Sequence, residues 1–344
     1  MQLIDLIQDK YKVISVVGMS KNAGKTVTLN QIIDECMDRN IRIGITSTGR
    51  DGENQDLVTN TEKPMIYVDE GTLIATTEGT FKYTEAKLEI LEVTNFNTSM
   101  GKIVIVQTKT SGYVQIAGPN TNREIKEVAD KLLSYGAGLV VVDGALDRIS
   151  SASPGITEAT ILSTGAVVSR DMNKVIEKTL HQIQLFALSE VQDGELKSLA
   201  NAIIKEKGYC IIDEDGQEHP LEIKTALNSG AVIGKAITDQ SQYIVIGGSL
   251  VTSTLKEIIQ STRKFKQVTF IVKDATKIFT DSKDWLYFKK IGIKICVVDQ
   301  IIPLAVTINP YAPQGYYFQP EEFLEKMKNF LNPIPVFDVV LGGE

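Results

Sequence analysis

Val17-Gly-Met-Ser-Lys-Asn-Ala-Gly-Lys-Thr26 joins two segments of different hydrophobic period. Upstream, Tyr11–Val17 is a short β-branched run that stops at a glycine, the pattern of a buried strand. Downstream, Val27–Asp38 carries Leu29, Ile32, Ile33 and Cys36 or Met37 at helical spacing. A glycine-bearing turn between a strand and a helix lets successive N–H groups point inward as a nest for anionic oxygens. The positive end of the following helix faces the same point. In that setting Lys25 would reach the β- and γ-phosphates of a nucleoside triphosphate, and the Thr26 hydroxyl would ligate Mg²⁺. Gly18, Ser20, Lys21, Asn22, Ala23, Gly24, Lys25 and Thr26 are therefore the expected nucleotide-binding residues. The bland alternative is a strand-to-helix turn with an incidental Lys-Thr pair.

The segments around this stretch continue the alternation. Ile41–Ser47 is the next expected strand, and a strand-rich region with turns at Asp69-Glu-Gly71 and Asn97-Thr-Ser99 runs from Met65 to Ala117. Asn122–Tyr135 is an expected helix, with Ile125, Val128, Ala129, Leu132 and Leu133 on one face. Leu139-Val-Val-Val-Asp143 is an apolar strand ending in an acid. After it the pattern predicts a helix near Ile156–Ser163, a strand at Ala166–Ser169 and a helix at Met172–Leu185. Strands alternating with helices pair in parallel through right-handed crossovers. The expectation is an α/β protein with a mostly parallel sheet flanked by helices. A polar stretch from Ser189 to Pro220 marks a domain change, giving a nucleotide-binding domain over 1–190 and a smaller α/β unit over 191–344.

An apolar strand ending in Asp is where a phosphate-loop protein holds the carboxylate that binds Mg²⁺, so Asp143 joins Thr26 as a metal candidate. Thr46-Ser-Thr-Gly-Arg-Asp-Gly-Glu53 follows the second strand and should emerge at the carboxyl edge of the sheet. There Arg50 could meet a phosphate or a substrate carboxylate. Asp51 or Glu53 could hold Mg²⁺ or orient a water, with a solvated polar turn as the alternative. Lys21 could offset γ-phosphate charge, in cis or across the interface of a homodimer, and Arg148 is a similar candidate. The strand at Ala166–Ser169 is followed by Asn173-Lys174, but Ile176 stands where a guanine-binding acid would be. ATP is favoured over GTP on that ground.

Five residues separate Gly18 from Gly24, one more than in the usual phosphate loop. With Val142-Asp-Gly-Ala145, this spacing resembles the P-loop NTPase branch containing dethiobiotin synthetase and the cobyric acid synthases, over roughly residues 10–190. That branch tends to carry Lys-Pro after its second strand, where this chain has the Thr46–Glu53 stretch. The wording of Gly44–Glu53 together with Val141–Arg148 is similar to the P-loop subunit of the lysine 5,6-aminomutase reactivase. That likeness implies a Mg-ATP-dependent accessory ATPase. It would release damaged cobalamin from an aminomutase, with the aminomutase or a second reactivase subunit as partner. The other branch members imply a ligase or kinase acting on a small carboxylate. A nucleotide-gated binding protein with negligible turnover is the third expectation.

Composition sets the outer limits. A net charge of −7, with no basic run, argues against nucleic acid and against an anionic membrane surface. Neither a secretory signal nor an apolar run of about 20 residues is visible in the sequence. Cys36, Cys210 and Cys296 are far apart and read as free thiols in a reducing, cytoplasmic compartment. His181 and His219 lack ligand partners at metal spacing. Gly247-Gly-Ser249 reads as a second anion-binding turn or a plain connection. Tyr311, Tyr316, Tyr317 and Phe318 read as a docking edge or as packing.

Overall fold

The computed structural model describes residues 1–48, 66–144, 149–223 and 229–340. Arg50, Asp51, Glu53 and Arg148 lie outside the described residues. Chain contacts divide the molecule into two compact units, Met1–Ile176 with Ile302–Glu344, and Glu177–Ile301.

In order, the chain of the first unit forms α1 (Leu3–Ile7), β1 (Val13–Gly18), α2 (Lys25–Asp38), β2 (Ile43–Ser47), β3 (Ile66–Val68), β4 (Leu73–Thr77), β5 (Leu88–Thr98), β6 (Gly101–Thr108) and β7 (Gly112–Val114). Then come α3 (Asn122–Ser134), β8 (Leu139–Asp143), β9 (Ala159–Gly165) and α4 (Met172–Phe186), the last crossing into the second unit. The second unit continues with α5 (Gly194–Lys205), β10 (Tyr209–Asp213), β11 (Glu218–Leu221), α6 (Ser229–Ala236), β12 (Ser241–Ile246), β13 (Leu250–Val251), α7 (Thr252–Ser261), β14 (Thr269–Val272), β15 (Ile278–Phe279), α8 (Ser282–Ile291) and β16 (Lys294–Val297). The chain returns to the first unit as β17 (Pro303–Asn309), α9 (Pro320–Leu331) and β18 (Val336–Phe337).

The first unit is built on a nine-stranded sheet in the order β18-β17-β9-β1-β8-β2-β4-β6-β5. Every pairing from β18 to β4 is parallel, and the β5–β6 hairpin closes one edge antiparallel. β1 is buried along its whole length, as is β9. Strands covered on both faces lack in-and-out alternation: β1 is a nearly continuous apolar run, and β9 buries Thr160, Ser163 and Thr164 among its apolar residues. On one face Leu29, Ile32, Ile33 and Cys36 of α2 pack with Ile14, Val16, Ile45, Val141 and Ile161. On the other, Ile125, Val128, Ala129 and Leu132 of α3 pack with Val13, Val140, Val142 and Leu73. The helix α3 starts where the sequence provides a reciprocal cap: the Thr121 hydroxyl accepts from the Glu124 N–H at 3.2 Å, and the Thr121 N–H donates to the Glu124 carboxylate.

Two sequence expectations are corrected here. The stretch expected to be helical, 156–163, instead enters β9 at Ala159, and Ala166–Val168 is a single 3₁₀ turn rather than a strand. A run buried on both faces has no alternation to separate it from a buried helix. The second correction concerns the partition at residue 190. The smaller unit is not C-terminal but inserted, because β17 returns to pair in parallel with β9 and extends the large sheet. β17 covers an edge of β9 that would otherwise expose a row of unpaired backbone groups.

The inserted unit has a five-stranded sheet, β11-β10-β12-β14-β16, in which β12, β14 and β16 are parallel and β10 and β11 antiparallel. The Gly247 turn in this unit has a packing explanation. A Cβ at Gly247 would lie 2.3 Å from the Gly208 carbonyl oxygen, so the backbones meet too closely for any side chain. The acidic turn after β10 is also structural: Asp213 accepts N–H bonds from Asp215 and Gln217 and meets His219 Nε2 at 2.9 Å. No helix among the described residues is long and apolar enough to cross a membrane.

Candidate functional site

The chain runs from β1 toward β8 and β2 on one side, then after β8 crosses to β9 and continues outward through β17 and β18. β1 therefore stands where the strand order reverses. Loops leaving the carboxyl ends of strands at such a point part to opposite sides and leave a crevice between them. Residues 19–24 occupy that position, between the end of β1 and the start of α2.

The loop is held from several sides. The Met19 N–H donates to the Ser163 carbonyl at the end of β9, at 2.9 Å. Asn22 adopts φ 61° and Gly24 φ 102°, two left-handed residues that turn the backbone sharply; at Gly24 a side chain would be strained. Ala23 is buried beneath the loop. Gly24 stands at the N-cap of α2 without a side-chain cap, and no acid occupies the first helical turn. The leading N–H groups of a helix have no intrahelical acceptor and carry its positive end. Lys25 is the first helical residue, and its side chain folds back over Gly18: a Cβ at Gly18 would sit 3.0 Å from Lys25 Cγ and Cδ and 3.1 Å from Nζ. Loop and lysine thus share one volume, and the absence of a side chain at Gly18 is what admits the ammonium group there.

Behind the loop lies a buried hydroxyl cluster that sequence reasoning missed. Thr28 of α2 is 2.7 Å from Thr307 and 3.3 Å from Ser163, and Ser163 and Thr307 are 2.8 Å apart. The Thr28 hydroxyl also reaches the Gly24 carbonyl at 3.2 Å. These contacts fasten the first turn of α2 to β9 and β17. Asn309, at the end of β17, donates from Nδ2 to the Asn22 carbonyl at 3.1 Å and so holds the loop at its left-handed residue. The signal that could have found Asn309 is the apolar run Leu304–Ile308 ending in a polar residue. Its proximity to Asn22, 287 residues earlier, is invisible without the fold.

Asp143 ends β8, the neighbour of β1, in register with Val16 on one side and Ser47 of β2 on the other. Its carbonyl accepts from the Thr48 N–H at 3.0 Å, and the next residue, Gly144, donates to the Val16 carbonyl at 2.9 Å. The carboxylate is half-buried at the carboxyl edge, one strand away from the loop. Thr26 is half-buried in the first turn of α2. Among the described residues no group of three or more His, Cys, Asp or Glu could enclose a metal ion. A hydroxyl and a carboxylate are oxygen donors of the kind Mg²⁺ takes alongside water and phosphate. Lys21, half-buried, belongs to the same loop.

The remaining candidates lie elsewhere. His181 bonds the Thr280 carbonyl through Nε2 at 2.9 Å and stands edge-on to Trp285; burial pushes its pKa below the ordinary imidazole value. Burial likewise pushes the Cys36 thiol up to about 12 and Cys296 up to about 11, so neither is a ready thiolate. The aromatic group after β17 divides: Tyr316 and Phe318 are held inward, whereas Tyr311 and Tyr317 are exposed. Comparisons with known proteins return no matching family model and no matching curated protein, so the reading of this site rests on its own residues and geometry.

Proposed function

We propose that the protein binds Mg-ATP through a P-loop formed by Gly18–Thr26 and acts as an ATPase. The observation that carries the reading is the Lys25 side chain folded over Gly18, at the strand-order reversal, with Asp143 in register on the adjacent strand. An ammonium group, a row of helix-start N–H groups and a nearby carboxylate are the three parts that recognition of a triphosphate with its cation needs. Lys25 would meet the β/γ-phosphate charge, the loop N–H groups would cradle the phosphate oxygens, and Thr26 and Asp143 would hold Mg²⁺. The cation, when bound, neutralises charge that develops on the transferred phosphoryl group. Lys21 adds positive charge within the loop; Arg50 and Asp51, which follow β2 in the sequence and lie outside the described residues, are proposed to take part as well.

The proposed role is accessory: the nucleotide cycle drives a change in a protein partner. The resemblance of Gly44–Glu53 and Val141–Arg148 to the aminomutase-reactivase subunit supports a cobalamin-dependent aminomutase as that partner. The test is ATP hydrolysis by the purified chain alone, with small carboxylates, and with an aminomutase holoenzyme carrying inactivated cobalamin. Stimulation by the holoenzyme alone is the expected result. A phosphorylated or ligated small product would replace the accessory role with ligase or kinase chemistry, and tight Mg-ATP binding without turnover under any condition would leave a nucleotide-gated binding protein.

A further inference from the structure

The turn that follows β17 begins at Asn309, the residue that holds the phosphate loop. Asn309 donates to the Asn22 carbonyl from Nδ2 and accepts from the Tyr311 N–H at Oδ1, at 3.1 Å each, so one side chain joins loop and turn. The turn is internally fixed. Ala312 donates to the Tyr316 carbonyl, Gly315 to Ala312, and Phe318 to Pro310. Tyr316 is anchored by its hydroxyl on the Ala166 carbonyl at 2.9 Å and by the Arg170 guanidinium 5.1 Å above its ring. Phe318 is buried against Phe323.

With those two rings committed to packing, Tyr311 and Tyr317 are left outside, 52% and 58% exposed. Their centroids are 5.9 Å apart, with the planes inclined by 31°. Two large rings kept in solvent on a braced turn forfeit burial that a core would supply. An aromatic pair on a turn that Asn309 ties to the loop suits a ligand with one planar face and one anionic end. We propose that Tyr311 and Tyr317 form a stacking platform for the purine base of the nucleotide whose phosphates the loop holds. The inference rests on the P-loop reading above and adds the residues that contact the base. Stacking recognises the ring face and not the base edge, so the platform binds a purine without choosing between adenine and guanine.

Titration calorimetry on the full chain separates the two ideas, with Mg-ATP and Mg-tripolyphosphate as probes. Tyr311→Ala and Tyr317→Ala should each weaken Mg-ATP by about tenfold and leave tripolyphosphate unchanged, since base stacking contributes on the order of tenfold per ring. Tyr311→Phe and Tyr317→Phe should restore ATP affinity, because the ring face is kept. Lys25→Ala should weaken both probes. Alanine variants that bind ATP as wild type does, or that lose both probes equally, would overturn the platform while leaving the P-loop reading standing. Alanine variants that keep ATP but lose stimulation by a protein partner would overturn it in favour of a docking surface. A wild-type chain that binds neither probe would remove the P-loop reading, and the platform with it.

Discussion

At the scale of single residues, Lys25 and Asp143 are expected to fail in different ways. In the proposed site Lys25 would supply a charge-assisted bond to phosphate in the ground state, so Lys25→Ala should cost about 2–3 kcal/mol of Mg-ATP affinity, roughly 30- to 150-fold in Kd. Unchanged affinity in a folded variant would remove the site. Asp143→Asn should leave nucleotide affinity within about threefold and lower kcat by roughly 100-fold or more, because the cation matters most as charge moves. A variant with full turnover would take Asp143 out of the metal site. Away from the site, the Asp213 carboxyl is held below the ordinary carboxylate range, first by His219 and then by two turn N–H groups. A depressed folded-state pKa adds stability that is complete above the unfolded value of about 3.9 and is lost as pH falls through the lower folded value. His219→Ala should therefore move the Asp213 titration midpoint upward, measured by NMR on the carboxyl carbon, and narrow the acid-side stability difference. A midpoint that stays put would assign the depression to the turn alone.

At the scale of elements, legibility followed the strength of periodicity. α2 and α3 begin within two residues of their expected starts, because each has one apolar face and one polar face. β8 is found at its expected limits, Leu139–Asp143, since an apolar run bounded by glycine and an acid leaves little freedom. β9 stands where a helix is expected because Ala159–Gly165 is buried on both faces, with polar side chains satisfied internally: Ser15 meets Thr160 at 2.8 Å, and Ser163 joins Thr28 and Thr307. Without in-and-out alternation, a strand buried on both faces reads as the helix expected near Ile156–Ser163. The cap of α3 offers an element-scale test. Thr121→Ala should destabilise the protein by about 1 kcal/mol, seen as a lower urea midpoint at unchanged slope. No shift in the midpoint would mean that Glu124 alone secures the helix start.

At the scale of the whole molecule, the first unit is discontinuous. Residues 302–344 supply β17, α9 and β18, with Ala305, Val306, Ile308, Phe323, Met327, Leu331 and Phe337 all buried. A segment spanning 1–190, the domain that sequence composition suggested, lacks these residues and exposes the β9 edge. It should show no cooperative thermal transition and no near-ultraviolet circular dichroism of a packed core, with association through the open strand. A cooperative, monomeric 1–190 segment would show that the returning chain is dispensable. The same segment would lose Thr307 and Asn309, and with them the support of the loop between β1 and α2.

The sequence by itself determined what local chemistry can encode: a glycine-bearing turn between a buried strand and an amphipathic helix, an apolar strand ending in Asp143, and an alternating α/β pattern. These depend on residues within one or two turns of each other, so spacing is sufficient to read them. Only the tertiary structure decided that β8 lies beside β1, that the chain reverses there, and that Ser163, Thr307 and Asn309 brace a loop far earlier in the chain. Pairing of parallel strands is set by burial of both faces and by crossover geometry, which carry no local signature. The inserted unit separates β9 from β17 by more than a hundred residues, so the last strands of the large sheet join it without any mark in the intervening sequence.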